Sequence, residues 1–292
     1  KNDYRISGYL PGVGYLLKMN IKKAAITKIM HSGFGLCYLP SGQKIFVRGG
    51  LPGEIADITV DTKKNPLSGK INRLVKSHAA RCTPPCRYYS QCGGCDLQHC
   101  DNSTQLTIKK EILHDLLLQS PEGQVRESVD LLLNPIPSPV AYGYRQRIRL
   151  RVDDRNRLGF RKFRSHQIVP IERCMLAEEP INKSLEELRY RADFCKLSSI
   201  ATGIELQINP VSQNVVCLFH LARKARPADI ASAKSICRDT VSVESIFFQC
   251  ENFSIMGPYQ SDASGSEKKH LSVQYKEVGP SKSPLRLSWE TG

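Results

Sequence analysis

The sequence predicts an α+β protein. A small β-barrel of the OB kind is expected over residues 19–78, then a mostly antiparallel sheet domain with a few helices over 136–292, joined by a metal-binding cysteine segment. Three observations carry that expectation. Short β-branched runs ended by Gly or Pro turns fill the first stretch, as they do in small barrels. Five of the eleven cysteines crowd into residues 81–100. The last part holds longer β runs broken by only two helical patterns, which favours antiparallel pairing.

A chain of 292 residues is long enough for two or three domains. Its 42 Lys and Arg against 28 Asp and Glu leave +14, and an excess of that size points to a polyanion, nucleic acid before others. No apolar run reaches the length of a membrane span, and the N-terminus lacks the order of an export signal. A cytoplasmic protein with no membrane partner is therefore expected, its cysteines ligating metal rather than forming disulfides. The chain opens without Met and closes straight after a strand-like run, so it reads as a piece of something longer.

Residues 1–18 give no assignable pattern. In the barrel stretch AAITKI (24–29), IFVRG (45–49), IADITV (55–60) and KINRLV (70–75) are the expected strands, punctuated by Gly33, Gly42, Pro52-Gly53 and Pro66. Phe34, Phe46 and Arg48 are candidates for stacking on or pairing with single-stranded nucleic acid, with barrel core as the other place for the two rings. The cysteine segment occupies 79–102. Residues 103–135 hold a helix over 103–119, with Ile108, Ile112 and Leu116 on one face, and a Pro-rich connector. Further on, helices are expected over 178–194, with Ile181, Leu185 and Leu188 inward, and over 227–238. Strands LSVQYKEV (271–278) and LRLSWE (285–290) complete the sheet layer, with a polar, mobile loop over 261–269.

Charge is concentrated near the start of the sheet domain. Arg145, Arg147, Arg149 and Arg151 alternate with apolar residues, which on a strand places four guanidiniums on one face. Residues 140–175 hold ten Lys and Arg against three acids. Like charges so arranged repel, so phosphate binding is the expected use of Arg145, Arg147, Arg149, Arg151, Arg161 and Lys162.

The Cys86, Cys92, Cys95 set has one close pair, with Gly93 and Gly94 between its two thiols to let the backbone turn tightly. Zinc usually takes two close pairs, and an iron–sulfur cluster tolerates irregular spacing with one remote cysteine. Spacing alone leaves both open, with Cys82, Cys100 or Cys174 to complete the set.

Four pieces in order carry a resemblance: IFVRGGLPGE (45–54), PCRYYSQCGGCDLQH (85–99), AYGYRQRIRL (141–150) and LGFRKFRSHQIVPIERCMLAEEPIN (158–182). The chain resembles the RNA (uracil-C5)-methyltransferases that carry a TRAM domain and an iron–sulfur cluster. The resemblance implies that residues 19–78 are the TRAM barrel and that Cys86, Cys92, Cys95 and Cys174 hold a [4Fe-4S] cluster, leaving Cys82 and Cys100 as bystanders. It also implies a structured RNA partner, ribosomal rather than transfer RNA, and S-adenosylmethionine bound by a catalytic domain expected after residue 292. No glycine-rich cofactor turn and no Asp-Pro-Pro motif is found in the chain, so no catalytic residue is carried over. A helix face over 103–119 left exposed, or covered by a neighbouring chain, follows from that missing domain. The rival from another class is a non-catalytic RNA-binding module stapled by zinc or an iron–sulfur cluster, and a redox-sensing regulator is a third.

Overall fold

The computed structural model describes residues 4–5, 18–251, 254–260, 272–275 and 285–288. The chain divides into two compact units that interleave in sequence. Unit 1 takes the chain through Tyr89 and then Cys95–Pro139, whereas unit 2 takes Ser90–Gly94 and the chain from Val140 on.

Unit 1 is built on a seven-stranded sheet of β1 (Tyr4–Arg5), β2 (Lys18–Ala25), β3 (Lys28–Ile29), β4 (Phe34–Tyr38), β5 (Lys44–Arg48), β6 (Ile55–Asp61) and β7 (Leu67–Lys76), in the order β1-β2-β6-β7-β5-β4-β3. All pairs are antiparallel except β5 with β7. The expected 24–29 strand is broken: Ile26 and Thr27 separate β2 from β3, so one run of chain supplies a partner of β6 and then a partner of β4. Strand β4 was not expected, because FGLCY carries no alternation; four of its five residues are buried. Alternate residues Ile45, Val47, Ile58 and Val60 meet Ile21, Ile26 and Cys37 in the core. Buried Glu54 ties the sheet to the cysteine segment, accepting from Leu51 N, His78 N and the Arg81 guanidinium.

Helix α1 (Asn102–Leu118) starts where Asp101 accepts from Thr104 N at 2.7 Å, an N-cap bond. Its Ile108 is 2% exposed, in a small cluster with Ile29, Leu51 and Cys100, and Ile112 packs alongside. Leu113, Leu116 and Leu118 remain exposed. The expectation of an open apolar face thus holds for one side of the helix and fails for the other. The Pro-rich connector carries two short elements that its sequence did not announce, α2 (Gly123–Glu127) and a 3₁₀ turn at Ser128–Leu131.

Unit 2 is a second seven-stranded sheet: β8 (Arg147–Val152), β9 (Leu158–Arg161), β10 (Ile168–Pro170), β11 (Ala201–Ile208), β12 (Val215–Leu221), β13 (Val243–Cys250) and β14 (Met256–Tyr259), in the order β10-β9-β8-β11-β12-β13-β14. Only β12 and β13 are parallel, joined by α5 (Pro227–Asp239). The single helix expected over 178–194 is two, α3 (Glu179–Leu188) and α4 (Ala192–Ser199). The chain turns at Arg189–Arg191, where Arg191 stands at the start of the second helix and pairs with Asp193 and Asp239. One sheet face packs against these helices. Ile181, Leu185 and Leu188 are buried there as expected, and Phe194, Phe219 and Phe248 meet edge to face. The last two runs do not join this sheet: β15 (Ser272–Tyr275) and β16 (Leu285–Ser288) pair with each other. The expected loop over 261–269 lies outside the described residues. No helix among the described residues is long and apolar enough to cross a membrane.

Candidate functional site

The alternating arginines lie on the open face of unit 2. Ile148 and Leu150 point into the core, while Arg147 and Arg149 are exposed and Arg151 half-buried. Arg145 is a correction to the four-residue array. It precedes the strand in an isolated bridge with Ala177 and is therefore outside the regular alternation. The register brings Glu205 of β11 opposite Arg149 and diagonal to Arg147. Both Nε and Nη2 of Arg147 donate to Glu205 Oε2, Arg149 Nη1 lies 3.6 Å from Oε1, and His220 Nε2 donates to Oε1 at 2.8 Å. Burial alone would raise this carboxyl; the bonds from His220 and Arg147 outweigh it and hold the group below the usual carboxylate range. One buried anion thus pins two guanidiniums.

The next cross-strand row is Gly159, Arg151, Gly203 and His220. A Cβ on Gly203 would meet Leu150 O at 3.0 Å, so a side chain there would crowd the strand beside Arg151. Burial, then the neighbouring Arg149 and Arg161, hold the Arg151 guanidinium below its ordinary value. Three mutually repelling cations on an open sheet face are an anion-binding arrangement. Glu205 and His220 were invisible in the sequence: both lie in β runs whose register against β8 no periodicity reveals.

In unit 1, Phe34 is 3% exposed, so its ring takes the core placement and is not an RNA contact. Phe46 and Arg48 are half-buried on β5, and Arg48 Nη2 reaches Tyr89 O at 3.4 Å. Tyr89 and His99 were also missed. Tyr89 Oη lies 2.6 Å from both Asp96 O and His99 Nδ1. The carbonyl can only accept, so the phenol donates to it and Nδ1 carries the imidazole proton. Nε2 is then a buried lone pair with no partner among the described residues. Burial and the Arg81 charge lower this histidine to about 4, so it is neutral.

The proposed ligand cysteines divide between the units, Cys86 and Cys95 in one, Cys92 and Cys174 in the other. Each is half-buried. Among the described residues no three His, Cys, Asp or Glu side chains stand together as a metal would need. Two features suit a thiolate-bound group. Cys92 Sγ accepts from Gly94 N at 3.4 Å, and Asn182 brackets Cys174 by accepting from its N and donating to its O. Gly93 has a further role that the sequence did not announce. A Cβ there would sit 3.1 Å from Arg161 O and 3.2 Å from Phe163 Cα, so the glycine lets Ser90–Gly94 lie against the β9 end. Cys82 lies in unit 1 next to Arg81, which bridges buried Cys100, and its N donates to His99 O.

The arrangement is that of a basic-faced α+β protein, and its fold resembles part of one solved methyltransferase. It superposes on Pyrococcus abyssi tRNA (uracil-54, C5)-methyltransferase with a TM-score of 0.53 at 19% identity, covering 86% of this chain and 56% of that one. By sequence the chain is 34% identical over 170 residues to an uncharacterized RNA methyltransferase of Aquifex aeolicus. It is 32% identical over 178 residues to the 23S rRNA (uracil(1939)-C(5))-methyltransferase RlmD of Halomonas elongata. These matches cover 57% and 59% of this chain but only 38% and 35% of the relatives. The chain thus spans well under half the length of the curated relatives it matches. No family model matches it.

Proposed function

We propose that this chain is the RNA-holding, iron–sulfur-carrying part of an S-adenosylmethionine-dependent RNA (uracil-C5)-methyltransferase acting on ribosomal RNA. The observation that carries the reading is the 32–34% identity, over more than half of the chain, to proteins named as RNA methyltransferases. Within it, Arg149, Arg151 and Arg161 grip phosphates, with Arg147 fixed beside them by Glu205. In unit 1 the strand order, the parallel β5–β7 pair and the division of one run into β2 and β3 support an OB-like TRAM barrel. Phe46 and Arg48 are its candidate contacts.

Cys86, Cys92, Cys95 and Cys174 would hold the [4Fe-4S] cluster, with Gly94 N and Asn182 orienting two of them. The cluster's part is structural, tying stretches of chain distant in sequence. S-adenosylmethionine would supply the methyl group. In the reaction read here a cysteine thiolate adds to C6 of uracil, C5 becomes nucleophilic enough to take the methyl, and a base removes the C5 proton. None of these steps is assigned to a residue of this chain.

Fluorescence anisotropy with a labelled 23S ribosomal RNA fragment across a salt series tests the RNA reading. The double change Arg149→Gln and Arg151→Gln should weaken binding and flatten the salt slope by roughly one unit or more. Unaltered affinity and slope would remove the basic face from the site.

A further inference from the structure

Unit 2 carries a cavity of about 460 Å³ at the tip of the β9–β10 hairpin. Its lining includes Gly93, Arg161, Lys162, Phe163, Arg164 and His166 and no carboxylate. The tip is firmly built. Lys162 N donates to Gln167 O at 2.8 Å, Ser165 N to Lys162 O at 3.0 Å, and Gln167 N to Ser165 Oγ at 3.1 Å. Arg164 sits in the left-handed region at φ +47, a strained conformation for a non-glycine residue that concentrates at ligand sites. The Ser90–Gly94 strap braces the hairpin from one side: Gly93 N donates to Arg161 O at 3.0 Å and Phe163 N to Gln91 O at 3.1 Å. The backbone of the cavity is therefore fixed before any ligand arrives.

The chemistry of the lining is selective. The Arg164 guanidinium lies over the Phe163 ring, 5.4 Å from its centre, a cation on an aromatic face. Neither Arg161 nor Lys162 has a carboxylate partner among the described residues. The volume lies within the ~300–1,000 Å³ of pockets that take one small ligand, far more than a bare phosphate fills. Unpaired RNA bases are held on aromatic rings and arginine planes, and a base inside a duplex presents no free face to such a stack.

We propose that the hairpin tip is a subsite for one unstacked nucleotide of a single-stranded RNA segment, its base against the Phe163–Arg164 stack and its phosphate between Arg161 and Lys162. This rests on the RNA reading above and adds to it a preference for single-stranded RNA that an arginine-covered sheet face alone does not give.

The test compares the intact chain, purified anaerobically, with Phe163→Leu and Phe163→Trp, using a labelled single-stranded oligoribonucleotide and a duplex of the same composition. Phe163→Leu should weaken single-strand binding about tenfold, the loss of one base–aromatic stack, while duplex binding stays as in the parent. Phe163→Trp should bind single strands at least as well as the parent. The pair Arg161→Gln and Lys162→Gln should lower the single-strand salt slope by about 0.7 for each phosphate no longer neutralised. Single-strand binding unchanged in Phe163→Leu overturns the subsite and leaves the RNA reading standing. Equal losses for single strand and duplex in that variant also overturn it, since they mark a general structural effect. A parent chain that binds neither RNA removes both readings.

Discussion

Arg147 and Glu205 meet diagonally across the β8–β11 pair, two nitrogens of the guanidinium on a single carboxylate oxygen. The arginine side chain is 63% exposed and the carboxylate 7%, so the anion is buried beneath a cation that still faces outward. Such an arginine is held in one pose before it meets a phosphate, and less side-chain entropy is lost on binding.

Glu205→Gln removes the anchor of Arg147, Arg149 and His220 together. The expected loss of stability is about 1–2 kcal/mol, below the full value of charge-assisted hydrogen bonds because Arg147 is largely solvated. Urea denaturation checks it, and an unshifted midpoint would count against the anchoring role.

Glu54 and Arg81 should behave more severely. Glu54 is fully buried and accepts four hydrogen bonds, two of them from Arg81, which also donates to Gly49 O at 2.6 Å. Arg81→Met strands that carboxylate and should cost about 3 kcal/mol or more. Arg81→Lys should recover only part, because an ammonium cannot reproduce the two-pronged bond and the third hydrogen bond at once. Thermal melts of the three proteins should rank parent, lysine, methionine; a methionine variant as stable as the parent would refute the pairing's importance.

Acid should destabilise unit 1 in a window set by His99. Its folded value, about 4, lies below the ordinary 6.5, so the unfolded chain binds a proton that the folded one refuses. Stability is therefore full above pH 6.5 and falls as pH drops from there towards 4. Further down, Glu54, also held low, adds its own loss to unit 1 as it protonates, and Glu205 does the same for unit 2. His99→Asn keeps a donor for Tyr89 without the titration and should flatten the upper part of the profile. An identical pH profile in the variant would exclude His99 as its source.

Single Cys→Ser changes at Cys86, Cys92, Cys95 or Cys174 should each lower bound iron and acid-labile sulfide in anaerobically purified protein, whereas Cys82→Ser should not. Stoichiometric zinc in place of iron would sink the cluster assignment.

Gly33 has φ +77, and a Cβ there would lie 2.7 Å from Asp96 Cβ. Gly33→Ala should lower the melting temperature by several degrees, corresponding to more than about 1 kcal/mol. A melting temperature equal to the parent's would show that Asp96 moves aside freely.

Much of this was legible because local chemistry announced it. Gly and Pro turns delimited three of the unit 1 strands, and the 3.6-residue rhythm of Ile181, Leu185 and Leu188 marked a buried helix face. The break at Arg189–Arg191 was not legible, since apolar periodicity runs on across it and one of the two acids that Arg191 pairs with there, Asp239, lies far along the chain. Strand β4 was hidden by its own burial, which replaces alternation with a continuous apolar run. At the candidate site the arginines were visible because they alternate on one strand. Glu205 was not, because its role comes from register between strands more than fifty residues apart.

The interleaving of the two units sets an order of events in time. Gln91 and Gly93 leave the ribosome well before Arg161 and Phe163, their partners, have been made. At roughly 5–20 residues per second the gap is several seconds. Unit 1 can close around its own strands and the start of α1 during that interval, while the short Ser90–Gly94 segment waits as an open loop carrying the Cys92 thiol. A slow codon run between positions 95 and 160 would lengthen this exposure without altering one residue of the protein.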